Sequence, residues 1–315
     1  MRKRMLFFLN PKAGHQELRN ALLDVLQIFT AGGYDVTVHP TQCPGDLTAQ
    51  IIDHGEEYDL IVCAGGDGTL NEAISGLMEL DRRPPLGYIP AGTVNDVAAT
   101  LGLSRDPIAA ANTIVRGKPQ PIDIGSFGPE RWFTYVAGFG AFTDVSYETP
   151  QQGKRIFGRM AYLANGIKYL SKIKPTRVRF RVNGKVYEDD ILLGLVCSTT
   201  SVGGFDLKSL MDANLNDGLY EVVLAKKIHS LLDLKYLATL LLKRQFDPKF
   251  FYTFQTDRVD FRFLTPVKWT LDGEFGGMHS AVDIQNHRKA VEIIVPTIRA
   301  KKKPVVLRLS KRNDG

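Results

Sequence analysis

The stretch that most constrains this chain runs from Leu60 to Leu80. Leu60–Ala64 is an unbroken apolar run, as expected of a strand buried on both faces of a parallel sheet. It ends in Gly65-Gly66-Asp67-Gly68-Thr69, and Leu70–Leu80 then reads as a helix. Glycines at such a junction let a phosphate approach the backbone, and the N–H groups that open the helix point at it. Asp67 would repel a phosphate, so its natural task is Mg²⁺ or a ribose or substrate hydroxyl. A tight turn with no ligand would need the glycines alone; Asp67 and Thr69 at the same strand end weigh against it.

Similar units flank this one. Met5–Leu9 is a short strand broken by Asn10-Pro11-Lys12-Ala13-Gly14, where Lys12 can reach phosphate and His15 stands beside the loop. Leu18, Leu22, Val25, Leu26 and Phe29 mark one face of a helix that Gly32-Gly33 stops. Tyr34–His39 alternates, and Leu47–His54 can form the next helix. Leu86–Ile89 leads into Pro90-Ala91-Gly92-Thr93-Val94-Asn95-Asp96. Successive strand–helix units predict a doubly wound α/β sheet over residues 1–125, whose strand ends share one ligand-binding edge. No GxxxxGK[ST] loop, HRD or DFG motif is present, so phosphoryl chemistry here would use another scaffold.

Beyond Gly125 the period changes to two. Arg177–Val182, Leu192–Cys197, Leu219–Leu224, Val259–Phe263 and Val267–Leu271 alternate, and Asn183-Gly184 is a hairpin signal. Helical patterns near 154–172 and 230–243 interrupt them. This predicts a mostly antiparallel β domain over 126–296, with 297–315 returning to the first domain. Asp217-Gly218 and Asp272-Gly273-Glu274 read as turns by default, with function as the alternative.

Charge is local. The chain has 40 basic and 34 acidic residues. Ten Lys/Arg and no acid lie between Thr149 and Tyr187, and seven Lys/Arg and no acid between Arg299 and Arg312. The remainder is acidic, so the two stretches read as docking surfaces rather than a general polyelectrolyte effect. The longest charge-free run, Ile191–Phe205, is shorter than the roughly 20 apolar residues that span a bilayer. No signal-peptide core follows the basic N-terminus. Cys43, Cys63 and Cys197 show no CxxC spacing and the six His no HxxH, which argues against a disulfide frame or zinc site. These features read as a soluble cytoplasmic protein.

The combined motifs resemble the soluble bacterial lipid kinases of the diacylglycerol kinase and sphingosine kinase superfamily. The matching marks are Asn10-Pro11-x-x-Gly14, Thr41…Gly45-Asp46, Gly65-Gly66-Asp67-Gly68-Thr69-Leu70-Asn71-Glu72 and Gly92-Thr93-Val94-Asn95-Asp96. Val136 to Val145 with Phe139-Gly140 and Asp144, Asp217-Gly218-Leu219 and Asp272-Gly273-Glu274 complete the series in order. The resemblance implies an N-terminal α/β nucleotide domain and a C-terminal β-sandwich with substrate between them. It implies ATP on Asn10, Pro11, Lys12, Ala13 and Gly14, on Thr41, on Gly66, Asp67, Gly68, Thr69, Leu70, Asn71 and Glu72, and on Thr93. Asp67 and Asp96 would organise phosphates and Mg²⁺, with Asn95 beside them, and Glu274 would be the general base. A structural Mg²⁺ would take the Asp217 side chain and the backbone oxygens of Asn214 and Leu219. Ala13 stands where the family commonly has Ser, and Ala99 where an Arg often follows the Asn-Asp pair.

The expected activity is ATP- and Mg²⁺-dependent phosphorylation of a lipid hydroxyl, with diacylglycerol favoured and phosphatidic acid as product; a sphingoid base, monoacylglycerol and phosphatidylglycerol stay open as substrates. The partners expected are a membrane lipid and an anionic membrane surface met through 149–187, peripheral at the inner face; a homodimer stays open. An NAD kinase shares GGDGT but not the remaining series. A silent nucleotide-binding regulator docking on membrane or nucleic acid is the rival of another class; no RRM, KH or zinc-finger signature supports nucleic acid.

Overall fold

A computed structural model describes residues 2–11, 16–129, 131–140, 174–198, 201–202, 205–206, 215–230, 233, 236 and 247–297. The first unit alternates β1 (Lys3–Leu9), α1 (Gln16–Ala31), β2 (Tyr34–Pro40), α2 (Asp46–His54), β3 (Leu60–Gly65), α3 (Asp67–Met78) and β4 (Leu86–Pro90). These strands pair in parallel in the order β4-β3-β1-β2. The apolar runs are continuous because both faces are covered. Leu6, Phe8, Ile61 and Cys63 point to one core with α2 and α3, while Met5, Phe7, Leu60, Val62 and Ala64 point to another with α1. Leu18, Val25 and Phe29 of α1 are buried there, with Leu22 and Leu26 packed at the margin. After β4 come α4 (Asp96–Leu101) and α5 (Pro107–Arg116). The start of α5 is set locally: Asp106 caps Ala109 N–H at 2.7 Å and Pro107 opens the first turn.

The second unit comprises β5 (Lys118–Phe127), β6 (Arg131–Phe133), β7 (Val136–Gly140), β8 (Thr176–Val182) and β9 (Lys185–Cys197). There follow a small hairpin, β10 (Ser201–Val202) with β11 (Phe205–Asp206), then β12 (Tyr220–Lys226), β13 (Phe251–Thr256), β14 (Arg258–Leu271) and β15 (Glu274–Val295). Its pairings are antiparallel, as the period-two pattern predicts. Two tight turns have both central residues at positive φ: Asn183-Gly184 (50° and 74°) and Asp272-Gly273 (50° and 87°). The core is aromatic, with the Phe139 ring against Phe261, Phe263 and Trp269.

β15 joins the units. It starts beside β14, runs antiparallel to β5, and at Ile293 lies parallel to Leu86 of β4. Residue 125, where the sequence pattern changes, therefore falls inside a strand that follows β15. The sequence divides Val259–Phe263 from Val267–Leu271, but both belong to β14, with a register shift between them. The predicted helix at 154–172 and the returning segment 298–315 lie outside the described residues, as does 230–243 apart from Ser230, Asp233 and Tyr236. No helix among the described residues is long and apolar enough to cross a membrane.

Candidate active site

The chain leaves β1 for β2 on one side and reaches β3 on the other, so β1 and β3 flank a topological switch point. Open α/β sheets bind ligands outside the strand C-termini at such a point. Asn10 follows β1 there: its N–H donates to Ala64 O (3.2 Å) and its Nδ2 to Thr69 Oγ1 (3.1 Å). Ala91, after β4, donates to Gly65 O at 2.7 Å, drawing the third loop onto the second. Glycine is required at this junction. A Cβ on Gly65 would lie 2.2 Å from Thr69 Oγ1, and one on Gly92 would lie 2.6 Å from the Gly66 Cα. No side chain caps the first turn of α3, which leaves its N–H groups aimed toward an anion.

Asp67 opens α3 next to the third loop. Its Oδ2 accepts the Asn95 N–H at 2.8 Å, while Oδ1 is buried with no partner among the described residues. Burial, aided by the nearby Asp96 carboxylate, pushes the Asp67 carboxyl up to about 6. Asn95 holds a left-handed conformation (φ 56°). Its amide is spent on the loop: Oδ1 accepts from Gly92 N (3.1 Å) and Tyr88 Oη (3.2 Å), and Nδ2 donates to Gly92 O (2.7 Å). These bonds make Asn95 the residue that holds the third loop in shape. Asp96 is 2% exposed, and its carboxylate lies within hydrogen-bonding reach of the Tyr135 hydroxyl.

The opposite wall is the Asp272-Gly273 turn. Asp272 is buried, yet both carboxylate oxygens are filled. Oδ2 accepts from Thr134 N (2.6 Å) and Asn71 Nδ2 (2.9 Å), and Oδ1 from Tyr135 N (2.9 Å) and Val136 N (3.0 Å). Burial raises this carboxyl above its ordinary value against the pull of those donors. Glu274 comes next, solvent-exposed at the start of β15. Arg131 secures the strand just beyond it by donating to Gly276 O at 2.6 Å. Between the walls lies a cleft of about 580 Å³, bounded by Asn10, Gly66, Gly68, Thr69, Asn71 and Glu72 on one side and by Asp272 and Glu274 on the other.

The remaining expected residues sit around this cleft or beyond it. Thr41 follows β2, with its N–H (2.9 Å) and Oγ1 (3.3 Å) both donating to Leu9 O. Glu72 accepts the Gly45 N–H, and burial raises its carboxyl. Leu70 is fully buried among α2 and α3 core residues, so only its backbone can serve a ligand. Thr93 is exposed on the third loop, and Pro11 O accepts from Arg19 Nη2 at 3.0 Å. Lys12, Ala13, Gly14, His15, Asp144 and Asn214 lie outside the described residues. Asp217 is exposed, and its Oδ1 accepts the N–H of Leu219 at 3.0 Å. Its loop is anchored by a residue the sequence reading missed: buried Asp123 accepts from Gly218 N (2.6 Å) and Lys289 N (2.7 Å). Tyr135 and Trp132 were also missed. An acid between two isoleucines, as in Ile122-Asp123-Ile124, was the one readable signal among the three.

No group of three metal-type ligands converges among the described residues. Mg²⁺ in general keeps several waters and takes one or two carboxylates plus substrate phosphates rather than a protein cage. The buried, unpartnered Asp67 Oδ1 near Asp96 is the fitting donor.

Comparisons with known proteins place these features in a family. Residues 4–127 match the diacylglycerol kinase catalytic domain, and residues 136–295 match the YegS C-terminal NAD kinase beta sandwich-like domain. The chain is 37% identical over 302 residues to a diacylglycerol kinase of Bacillus subtilis (strain 168), covering 95% of this chain and 98% of that one. It is 34% identical over 300 residues to a diacylglycerol kinase of Staphylococcus aureus (strain bovine RF122 / ET3-1), covering 94% and 93%. A solved diacylglycerol kinase structure from Bacillus anthracis str. Sterne superposes with a TM-score of 0.73 at 23% identity, over 93% of this chain and 97% of that one, and supports the fold.

Proposed function

This chain belongs to the diacylglycerol kinase family and is an ATP-dependent lipid kinase; we propose that diacylglycerol is the lipid it phosphorylates, giving phosphatidic acid. The observation that carries this reading is the cleft with the Gly66–Thr69 loop on one wall and Glu274 on the other. A lipid hydroxyl is a poor nucleophile near neutrality, and a carboxylate within hydrogen-bond reach can take its proton as the bond to phosphorus forms. Glu274 fits that task, because among the described residues its carboxylate has no hydrogen-bond or ion-pair partner to compete. The phosphates would lie on the α3 N-terminus beside Asn10 and Thr69, with Thr41, Glu72 and Thr93 around the nucleotide. As the lipid oxygen joins the γ-phosphorus, the bond to the bridging oxygen breaks and ADP departs. Asp67 and Asp96 would hold Mg²⁺, which when bound neutralises phosphate charge.

A second, structural Mg²⁺ on Asp217 and the carbonyls of Asn214 and Leu219 belongs to the same reading. So does peripheral docking at the inner membrane face through the basic segment 149–187. Within that segment, β8 turns Arg179 and Arg181 outward, with Arg177 beside them paired to Glu188 and Asp190, and buries Val178, Phe180 and Val182. Each basic residue near an anionic surface contributes about 1 kcal/mol, screened by salt. Sedimentation with anionic and neutral vesicles at low and high salt tests this: docking requires anionic preference and loss with salt.

The substrate is tested with radiolabelled ATP offered together with diacylglycerol, a sphingoid base, phosphatidylglycerol and NAD. Label in phosphatidic acid is expected. Label in another lipid alone would replace the substrate, and label in NAD would overturn the reading.

A further inference from the structure

Asn71 sits among the loop residues assigned to nucleotide, yet its side chain is engaged elsewhere. It lies on α3, four residues past Asp67, and its Nδ2 donates across the cleft to Asp272 Oδ2 (2.9 Å) and to Trp132 O (3.1 Å). Both amide hydrogens are therefore used. What remains is a carbonyl oxygen, an acceptor that phosphate oxygens cannot satisfy.

The far end of this contact is a knot. The carboxylate that takes the Asn71 hydrogen also takes the N–H groups of Thr134, Tyr135 and Val136. The backbone of the same residue is held too, because Tyr135 Oη donates to Asp272 O at 3.1 Å. Asp272 and Gly273 form the tight turn, and Glu274 is the next residue. The side chain and carbonyl of the residue two before Glu274 are thus fixed by α3 and the entrance to β7. α3 carries both the Gly68–Thr69 end of the glycine loop and Asn71, so the contact ties that loop to the turn before Glu274.

We infer that Asn71 is a positioning residue that sets Glu274 against the nucleotide loop across the cleft, and is not a phosphate ligand. This rests on Glu274 being the base. A misplacement of about 1 Å can cost on the order of 100-fold in rate without weakening binding. The contact is charge-assisted, which gives it directional strength.

The test measures kcat at saturating ATP and lipid, and ATP affinity by calorimetry, for Asn71→Ala and Asn71→Asp. The expected result is kcat lowered by about 10- to 100-fold with ATP affinity within about twofold of the parent. For Asn71→Asp, the introduced acid meets the Asp272 carboxylate, and a proton shared between them restores a donor. Its kcat at saturating ATP, relative to the parent, should therefore rise as pH falls from 8 to 6 while its relative ATP affinity stays flat, whereas a nucleotide-binding role would move the ATP affinity with pH. ATP affinity lowered tenfold with kcat intact would overturn the inference, as would unchanged kcat. If these variants do not fold, Asn71→Gln decides, because it keeps the amide but moves it by one methylene: lower kcat with unchanged ATP affinity supports the inference, and parental kcat overturns it. Glu274→Gln is run alongside. An active Glu274→Gln sinks the base reading itself, whereas an inactive one beside a normal Asn71→Ala sinks the positioning role alone.

Discussion

Two Asp-Gly pairs stand at one cleft, which Gly68 lines from one and Asp272 from the other, and they do opposite work. Asp67-Gly68 begins a helix, and its carboxylate keeps one buried oxygen without a partner among the described residues. Asp272-Gly273 makes a hairpin turn, and its carboxylate is filled by four donors. The dipeptide is the same; the neighbours differ. An open buried oxygen is costly unless something binds it, which is what the proposed ligand role of Asp67 would supply. A saturated carboxylate has nothing left to offer a ligand, so Asp272 is built to hold the fold where Glu274 begins.

Removing the filled carboxylate should have the largest effect on stability. Asp272→Ala leaves three backbone N–H groups and the Asn71 amide unpartnered, at about 1–3 kcal/mol for each group that finds no water. We expect a loss of at least about 3 kcal/mol in denaturant unfolding. A loss below about 0.5 kcal/mol would break the contrast between the two aspartates.

Asp67 should behave in the opposite sense. Its folded carboxyl titrates at about 6 against an ordinary 3.8, so between these values the folded metal-free protein holds more proton than the unfolded one. The contribution of Asp67 to stability is then greatest below pH 4, falls as pH rises to 6, and stays low above. Asp67→Asn removes that fall. In EDTA, the variant should gain on the parent between pH 4 and 7 by roughly 1–2 kcal/mol after allowance for solvent screening. Parallel melting curves across that range would show that the open oxygen carries no penalty.

The smallest effect is expected at Asp217, whose exposed carboxylate caps only the Leu219 N–H among the described residues. Asp217→Ala should cost at most about 1 kcal/mol in EDTA. If the loop holds Mg²⁺, the loss in melting temperature grows when Mg²⁺ is present; the same loss with and without metal removes the structural ion from the site.

Much of this contrast was legible locally. The strand, glycines and helix around Asp67 are contiguous, and Asn183-Gly184 and Asp272-Gly273 adopt the turn that their residues favour. What could not be read was which aspartate is filled, because the Asn71–Asp272 contact spans 201 residues. The 22-residue β15 was hidden for a related reason. Its glycines at 276 and 277 and its left-handed Lys289 reset the alternation that reveals a strand, and its partners span β5, β14 and β4. Asp123 was detectable as an acid between two buried isoleucines, but its work on the Gly218 loop was not, since that loop lies about 95 residues away.

The central claim is that Glu274 takes the lipid proton opposite a nucleotide held by the Gly66–Thr69 loop. It is tested most directly by Glu274→Gln, assayed for diacylglycerol phosphorylation and for ATP binding by calorimetry on the same preparation. Loss of the general base should lower turnover by about 10²- to 10⁴-fold while ATP affinity stays near that of the parent. Turnover within a fewfold of the parent would contradict the account and leave Glu274 as the first residue of a strand.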